Sequence, residues 1–190
     1  MMKYENVAEL QRRMALYDDE QAYKEIFFTY YQALVTFAIS FVHSRESAEE
    51  ITSDVLMKVW EKRKTINCIE NLRVYLYVSV RNAALNQLSR QNKTAFASLD
   101  DLNIDFPSSS INPEQLMITA EMSRRILHAV NSLPPRCKMV FKLVKDDGLQ
   151  YREVAEILNI SIKTIDNQLA IALRKISQAI NLQLNPRAEY

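Results

Sequence analysis

Glycine and histidine are nearly absent from this chain of 190 residues, which contains one glycine and two histidines. A chain whose single glycine is Gly148 lacks glycine-rich phosphate loops and most of the tight hairpin turns that join antiparallel strands. The two histidines, His43 and His128, stand far apart, so the sequence offers neither a metal-binding cluster nor a Ser-His-Asp arrangement. These absences favour an all-α fold and argue against an enzyme, a metal site or a bound cofactor.

Cysteine and long apolar runs are also scarce. Cys68 and Cys137 have no CxxC spacing and no neighbouring histidine, which indicates two free thiols in a reducing compartment. The first twenty residues contain no apolar core of signal-peptide length, and we expect no segment to approach a membrane span. The sequence therefore predicts a soluble, cytoplasmic protein without direct membrane insertion.

The net charge is only +1, but the charges are unevenly distributed along the chain. Residues 18–54 contain eight acidic and two basic residues, whereas residues 58–93 contain eight basic and two acidic ones. From Glu121 onward there are eleven basic and seven acidic residues, a net charge of +4. Two basic regions separated in the chain suggest two contacts with one polyanion.

Helical periodicity in the first half predicts four helices and a polar loop. They are expected at residues 4–17, from Asp18 or Asp19 to about His43, from about Glu46 to Lys62 and from Leu72 to about Gln91, with the loop at Lys64–Asn71. We interpret the aromatic residues of the second helix as core. The fourth helix mixes cations with ring and amide side chains, a combination suited to single-stranded nucleic acid.

Residues 94–113 lose this periodicity and are rich in Ser, Asp, Asn and Pro, which is typical of a flexible linker, here an acidic one. Periodicity returns at about Glu114 in a helix that ends before Leu133, and another helix is expected from Arg136 to Lys145. Gly148 can supply a left-handed C-cap after it. The chain thus divides into two small helical domains, residues 1–93 and 114–190, joined by an irregular linker.

Residues 148–177 predict two helices joined by a tight turn. The first, Tyr151–Leu158, is followed by Asn159, which tolerates the left-handed conformation, and by Ser161, which can cap the second helix. The second helix is expected to bury Ile162, Ile165, Leu169, Leu173 and Ile176 and to expose Lys163, Thr164, Asn167, Ile171, Arg174 and Lys175. This pattern indicates a helix-turn-helix whose second helix enters the DNA major groove. The alternative is an ordinary helical hairpin with a solvated outer face.

Three segments, in this order, resemble the extracytoplasmic-function (ECF) group of bacterial sigma-70 factors, particularly the branch like the iron-citrate regulator. Ala48–Arg63 (AEEITSDVLMKVWEKR) is similar to the segment that binds the clamp helices of the polymerase largest subunit. Asn71–Gln91 (NLRVYLYVSVRNAALNQLSRQ) looks like the −10 promoter helix, and Leu133–Ile176 looks like the −35 domain. The chain departs from the usual family residues at Ser53, Leu56, Tyr75, Asn159 and Gln168. These differences bear on individual contacts and on the promoter sequence that is recognised, not on the class of protein.

The resemblance implies a sigma2-like domain and a sigma4-like helix-turn-helix domain that direct core RNA polymerase to promoter DNA. It implies core-polymerase contacts at Asp54, Val55, Leu56, Val59 and Trp60. It implies contacts with the unpaired −10 strand at Ile66, Asn67, Asn71, Arg73, Tyr77, Arg81 and Asn82. It implies contacts with the −35 duplex at Lys163, Thr164, Asn167, Gln168, Ile171 and Arg174. Polymerase performs the chemistry, so no catalytic residue is implied, and a membrane-associated anti-sigma factor is the implied regulator.

Two readings from other classes compete with this one. A conventional helix-turn-helix regulator with an N-terminal sensing or dimerisation domain would bind duplex DNA without polymerase, as a dimer on a palindrome. A protein-interaction adaptor would instead use the acidic second helix and its aromatic side chains. Association with core polymerase and DNA cross-linking at both basic regions separate these readings.

Overall fold

The computed structural model describes residues 7–91 and 120–184, which are helical apart from short connections and contain no strand. The prediction of an all-α fold is confirmed. The chain forms two compact units, Met1–Ala97 and Ser98–Tyr190. The predicted linker at residues 94–113, the predicted helix start at Glu114 and the first residues of the predicted leading helix lie outside the described residues.

Over residues 7–91 the first unit contains four α-helices and one 3-10 helix. They are α1 (Val7–Tyr17), α2 (Glu20–Val42), α3 (Arg45–Glu61), the 3-10 helix (Arg63–Cys68) and α4 (Leu72–Gln91). The segment predicted as a polar loop is therefore a 3-10 helix over most of its length. Its Ile66 side chain is buried, which gives this short helix an apolar anchor that the polar composition of the segment concealed.

Local side-chain chemistry begins and ends the helices of the first unit. The Asp19 carboxylate accepts hydrogen bonds from the backbone N–H groups of Gln21 at 2.9 Å and Ala22 at 3.1 Å, which makes it the N-cap of α2. The Ser44 hydroxyl accepts from the N–H of Ser47 at 3.3 Å and caps α3. His43 ends α2 in the left-handed region with φ of 54°. The predicted cap at Asp18 or Asp19 is confirmed at Asp19.

Helix α2 supplies much of the core of the first unit. Its Tyr30, Phe37 and Phe41 are buried, as the sequence predicted for the aromatic residues of this helix. Phe37 packs edge-on against Phe41 at 5.1 Å and against Tyr77 of α4 at 5.0 Å between ring centroids. Such contacts between aromatic rings stabilise a core beyond the area that they bury.

The apolar length of α2 corrects one expectation. With 23 residues and a mean hydropathy of 1.3, Glu20–Val42 is long and apolar enough to span a membrane by these two criteria. The same helix packs its buried side, including Ile26 and Leu34, inside the first unit. A core helix of a globular protein meets the same criteria, so this finding does not by itself indicate membrane insertion.

Over residues 120–184 the second unit contains α5 (Ala120–Asn131), α6 (Pro135–Phe141), a π-helical turn (Lys142–Asp146), α7 (Tyr151–Leu158) and α8 (Ile162–Leu184). The helix predicted from Arg136 to Lys145 is thus α-helical only to Phe141. Gly148 then adopts φ of +65°, which confirms the predicted left-handed position. The core of this unit is formed by side chains from these four helices, the turn and the α5–α6 connection: Val130, Leu133, Met139, Val140, Leu143, Val154, Ile157, Ile165, Leu169 and Ala172.

A buried ion pair closes the π-helical turn. The Lys142 side chain is almost fully buried, and its Nζ lies 2.7 and 2.9 Å from the two carboxylate oxygens of Asp147. A buried ammonium group needs such a partner because the low-dielectric interior otherwise disfavours its charge. This pair secures the backbone immediately before Gly148, where the chain turns toward α7.

Candidate nucleic-acid and protein-binding surfaces

The joint between α7 and α8 is built by three local features. The backbone N–H of Gln150 donates to the Glu153 carboxylate at 2.8 Å at the start of α7. Asn159 ends α7 with φ of 54° and ψ of 50°. The Ser161 hydroxyl accepts from the N–H of Thr164 at 3.1 Å and caps α8. The predicted roles of Asn159 and Ser161 are confirmed, and the two helices form the expected helix-turn-helix.

The buried side of α8 is narrower than predicted. Ile165, Leu169 and Ala172 are buried, whereas Ile162 is 44% exposed and Leu173 is 50% exposed. The prediction that Ile162 and Leu173 lie on the buried stripe is wrong. Successive residues of an α-helix are separated by about 100°, so Leu173 points well away from Ala172 and lies at the margin of the buried side. Apolar character alone did not show which leucine of the helix packs inward.

The opposite side of α8 presents cations and an amide to solvent. Lys163, Asn167, Ile171 and Arg174 are exposed and lie at helical spacings of four, four and three residues. We call these four residues the outer face of α8. The structure therefore brings together four of the six residues predicted to contact the −35 duplex.

The other two predicted duplex contacts, Thr164 and Gln168, are half-buried on the flank of α8. Thr164 shares a hydrogen bond of 2.8 Å with the Ser161 hydroxyl. The Cys137 thiol of α6 donates to the side-chain amide oxygen of Gln168 at 2.7 Å. Burial raises the pKa of that thiol, so it remains a protonated donor. On the other flank the Asp166 carboxylate is exposed, a position to which neither the cations nor the amides of the sequence pointed.

The residues predicted to contact the −10 strand divide into exposed and buried groups. Asn67, Asn71 and Asn82 are exposed, and Arg73 and Arg81 are half-buried. The side-chain amide oxygen of Asn71 also accepts from the N–H of Val74 at 3.1 Å in the first turn of α4. The remaining two residues of the predicted set are not at the surface.

Ile66 and Tyr77 are the buried members of that set. Ile66 is 2% exposed and Tyr77 is 1% exposed, and the Tyr77 ring packs against Phe37 in the core. Neither side chain is available to a base in this structure, so a part for these two residues in binding the −10 strand stays a prediction and would be indirect. An aromatic ring such as Tyr77 can stack on an unpaired base, but this side chain lies on the side of α4 that packs against α2.

Two clusters of polar contacts define the electrostatics of this region. Arg81 donates from Nη2 to the side-chain amide oxygen of Asn82 at 3.0 Å, and partial burial lowers the pKa of its guanidinium. The guanidinium stays protonated at neutral pH because its unperturbed pKa is so high. Arg63 and Lys64, at the start of the 3-10 helix, both donate hydrogen bonds to the Asp18 carboxylate, and the bond from Lys64 is 2.7 Å long. These hydrogen bonds lower the pKa of the Asp18 carboxyl group, and the bond from Lys64 has the larger effect.

The residues of α3 predicted to bind core polymerase also lie on two sides of their helix. Val55, Leu56 and Val59 are buried in the core of their own unit. Asp54 is exposed and Trp60 is half-buried. The three buried residues lie beneath this surface, so their part in binding core polymerase stays a prediction and would be indirect.

Trp60 begins a row of aromatic side chains. The other rings of the row lie on α2, whose aromatic residues are predicted from sequence to be core. Its ring lies 5.1 Å from that of Tyr23, Tyr23 lies 6.1 Å from Phe27, and Phe27 stacks on Tyr31 at 5.0 Å. All four rings of this aromatic row (Trp60, Tyr23, Phe27 and Tyr31) are half-buried. Helical spacing gave no signal that separates this row from the core, because Tyr23 and the buried Phe41 are about five full turns apart and so share the same side of α2.

The edges of the aromatic row combine apolar and charged groups. Phe28, next to Phe27, is 76% exposed, and Met57 on α3 is also exposed. The Arg63 guanidinium lies over the Trp60 ring, 4.5 Å from its centroid. An exposed cluster of large apolar side chains is typical of a protein-binding surface. Within the described residues, no group of three or more His, Cys, Asp or Glu side chains converges as a metal site would.

Two family models match the chain. The model described as sigma-70 region 2 matches residues 26–94, and the model described as sigma-70, region 4 matches residues 123–176. Together the two matches cover more than half of the chain. Each falls in a different structural unit, the first across α2 to α4 and the second from α5 into α8.

Curated relatives agree with these matches. The chain is 22% identical over 141 residues to the ECF RNA polymerase sigma-E factor of Salmonella typhimurium, covering 74% of this chain and 70% of the relative. It is 20% identical over 169 residues to the RNA polymerase sigma-H factor of Pseudomonas aeruginosa, covering 85% of this chain and 88% of the relative.

Solved structures show a similar fold. One is CnrH in complex with the cytosolic domain of CnrY, with a TM-score of 0.56, 17% identity and coverage of 93% of this chain and 98% of that one. Another is the sigma factor RpoE in complex with the anti-sigma factor NepR from Bartonella quintana. It has a TM-score of 0.55 and 23% identity and covers 85% of this chain and 98% of that one.

Proposed function

The chain belongs to the sigma-70 family of RNA polymerase sigma factors, and from this premise we propose that it is an ECF sigma factor acting on core polymerase in the cytoplasm. It directs the polymerase to promoters by binding a single-stranded −10 element and a duplex −35 element. It is not an enzyme, since core polymerase performs the chemistry. One observation carries the proposal: two separate helical units are each matched by a different sigma-70 region. The first presents exposed amides beside half-buried arginines, and the second presents exposed cations and an exposed amide.

The outer face of α8 is proposed as the −35 reader. Lys163 and Arg174 carry charges that can neutralise phosphates or reach guanine, and the Asn167 amide can bond an adenine edge. The Ile171 side chain can contact a thymine methyl group. Thr164 and Gln168, on the flank of the helix, are proposed as secondary contacts. Their hydrogen bonds to the Ser161 hydroxyl and the Cys137 thiol hold them in place.

The exposed residues at the junction of the 3-10 helix and α4 are proposed to bind the −10 strand. Asn67 and Asn71 offer amide groups to an unpaired base, while Arg73, Arg81 and Asn82 along α4 hold the strand. Ile66 and Tyr77 contribute indirectly, because their burial anchors the 3-10 helix and α4 to the core. We call residues 66–71 the capture turn.

The core-polymerase surface is proposed to consist of Asp54, Trp60 and the rest of the aromatic row, with Phe28 and Met57 at its edge. Large rings that are only half-buried in the free chain are the residues that most often dominate the energy of an interface. Val55, Leu56 and Val59 fix the position of α3 from beneath.

Regulation by an anti-sigma factor is part of the same proposal. One structural relative is bound to an anti-sigma factor and another to the cytosolic domain of CnrY, which supports a membrane-associated inhibitor that covers these surfaces. Within the ECF group we propose the branch like the iron-citrate regulator, on the segments Ala48–Arg63 and Leu133–Ile176. Transcription profiling with purified chain and core enzyme would identify the promoters and test that assignment.

The decisive experiment is association with purified core polymerase. We expect Trp60→Ala to weaken core affinity by about tenfold or more, as loss of an interface anchor does. Phe28→Ala, at a side chain that is 76% exposed, should weaken it in the same direction without disturbing the fold. Tyr17→Ala is the matched control, because Tyr17 is an exposed ring of the same unit outside the aromatic row.

Two outcomes would contradict the proposal. If the wild-type chain does not associate with core polymerase, the sigma-factor function is wrong for this protein. If the chain binds a palindromic duplex tightly as a dimer without polymerase, the conventional regulator is favoured instead.

A further inference from the structure

Helix α1 is tied to the capture turn by one buried side chain. Gln11 is only 4% exposed, and its amide Nε2 donates to the carbonyl oxygen of Ile66 at 2.7 Å and to that of Ile69 at 3.0 Å. These two carbonyls flank Asn67 and Cys68, whose side chains are exposed. One amide group thus bridges the two ends of the exposed part of the turn.

The other end of the 3-10 helix is held from the same side of the unit. Asp18, in the short connection between α1 and α2, accepts hydrogen bonds from Arg63 and Lys64. The Ile66 side chain points into the core, and its carbonyl also accepts from the N–H of Ile69 at 3.1 Å. The backbone that presents Asn67 is therefore fixed before any ligand arrives.

We propose that Gln11 is a positioning residue for base selection by the capture turn. The inference rests on the proposed function, because it assigns to α1 the task of ordering the turn that binds an unpaired −10 base. A turn that is already ordered loses less conformational freedom on binding, and it rejects a base whose donors and acceptors do not match. Gln11 itself touches no nucleic acid, since it is buried beneath the turn.

The test compares holoenzymes assembled with wild-type chain, Gln11→Met and Gln11→His. Methionine keeps the length of the side chain but removes both donated hydrogen bonds, whereas a histidine ring N–H can restore one of them. Arg12→Ala is the matched control, because Arg12 is the next residue of α1, is exposed and pairs with Glu9. The probes are single-stranded −10 oligonucleotides carrying each of the four bases at the captured position.

We expect Gln11→Met to reduce the ratio between the best and worst base by about three- to tenfold, the effect of losing one or two ordering hydrogen bonds. Gln11→His should recover part of that ratio, and Arg12→Ala should leave it unchanged. Binding of the −35 duplex and of core polymerase should not change. Amide hydrogen exchange in residues 67–71 should become faster in Gln11→Met, a readout that requires no DNA.

Three results would overturn the inference. Base discrimination and hydrogen exchange in Gln11→Met could both match the wild type. Alternatively, Gln11→Met could lose affinity equally for all four bases and for core polymerase, which would indicate a purely structural role. If Gln11→Met does not fold, a folded Gln11→His whose base ratio falls only in proportion to its loss of affinity for core polymerase would also count against it. Failure of the proposed function is distinct, because the wild-type holoenzyme would then show no base preference.

Discussion

Single residues at the ends of helices account for much of the architecture of both units. Asp19, Ser44 and Ser161 satisfy backbone N–H groups that a helix leaves without partners in its first turn. Asn159 and Gly148 adopt the left-handed conformation that reverses the chain. Such positions are predictable from sequence because the interaction is local: a short polar side chain acts within three residues of itself.

Other residues could not be placed from sequence because their role depends on tertiary partners. Gln11 has no distinguishing pattern around it in the chain, yet it is buried against carbonyls 55 and 58 residues away. Lys142 reads as a solvated cation, yet it is enclosed with Asp147. In both cases burial follows from tertiary packing, which no periodicity encodes.

The buried ion pair gives a prediction at this scale. Asp147→Asn would leave the buried Lys142 ammonium without its carboxylate, and we expect a loss of about 3–5 kcal/mol in the stability of the second unit. Asp146→Asn is the matched control, because Asp146 is more exposed and lies 3.9 Å from the same ammonium. Hydrogen exchange of amides in residues 139–158 measures the effect. Equal protection of these amides from hydrogen exchange in Asp147→Asn and Asp146→Asn would show that the Lys142–Asp147 pair does not stabilise the second unit.

At the scale of helices, their existence and order were predictable from sequence, but the side that each buries was predictable only in part. The Tyr30, Phe37 and Phe41 side of α2 was identified correctly because its apolar residues repeat at helical spacing. The second aromatic set of α2, which forms the aromatic row, was assigned to the core with the first. Apolar residues occupy more than half of the circumference here, so periodicity no longer selects one side.

Helix α3 also shows that a sequence pattern does not determine which side chains of a helix are exposed. The family resemblance gave a nearly contiguous set of residues within Asp54–Trp60, but a helix cannot present consecutive positions to one partner. The structure buries Val55, Leu56 and Val59 and leaves Asp54 and Trp60 toward solvent. A motif indicates which segment is used, whereas the helix geometry decides which of its side chains are available.

The orientation of α8 provides a matched test of this point. Leu169 is 3% exposed and Leu173 is 50% exposed, although the two lie about one turn apart in the same helix. We expect Leu169→Ala to reduce the free energy of unfolding of the second unit by about 2–5 kcal/mol, as cavity-forming substitutions do. Leu173→Ala should cost less than about 1 kcal/mol. Thermal unfolding followed by circular dichroism compares them, and a larger effect at Leu173 would mean that α8 is rotated.

At the scale of the whole molecule, function is divided between two units that contribute different chemistry. The second unit places two cations, an amide and an apolar side chain on one face of a helix, which suits the edges and phosphates of a duplex. The first unit places amides on a short turn beside half-buried arginines, which suits an unpaired strand. The division into two helical units was predictable from composition and charge. The exposed members of each surface could be identified only from the packing.

This division predicts that the two DNA contacts can be impaired separately. Arg174→Ala should weaken binding of the −35 duplex and reduce the slope of log affinity against log salt by about 0.9, the value for one lost phosphate contact. Asn67→Ala should weaken binding of the single-stranded −10 oligonucleotide and leave the salt slope of duplex binding unchanged, because an amide releases no counterion. Both are measured by fluorescence anisotropy with the holoenzyme.

The double variant completes that test. Because Asn67 and Arg174 belong to different structural units, their effects on open-complex formation at a two-element promoter should add to within about 0.5 kcal/mol. Arg124→Ala is the matched control, since Arg124 is an exposed arginine of the second unit that lies on α5, outside the outer face of α8. A coupling energy well above that limit would show that the two contacts are not independent. Recognition of the −10 and −35 elements would then be cooperative and not divided between two independent units.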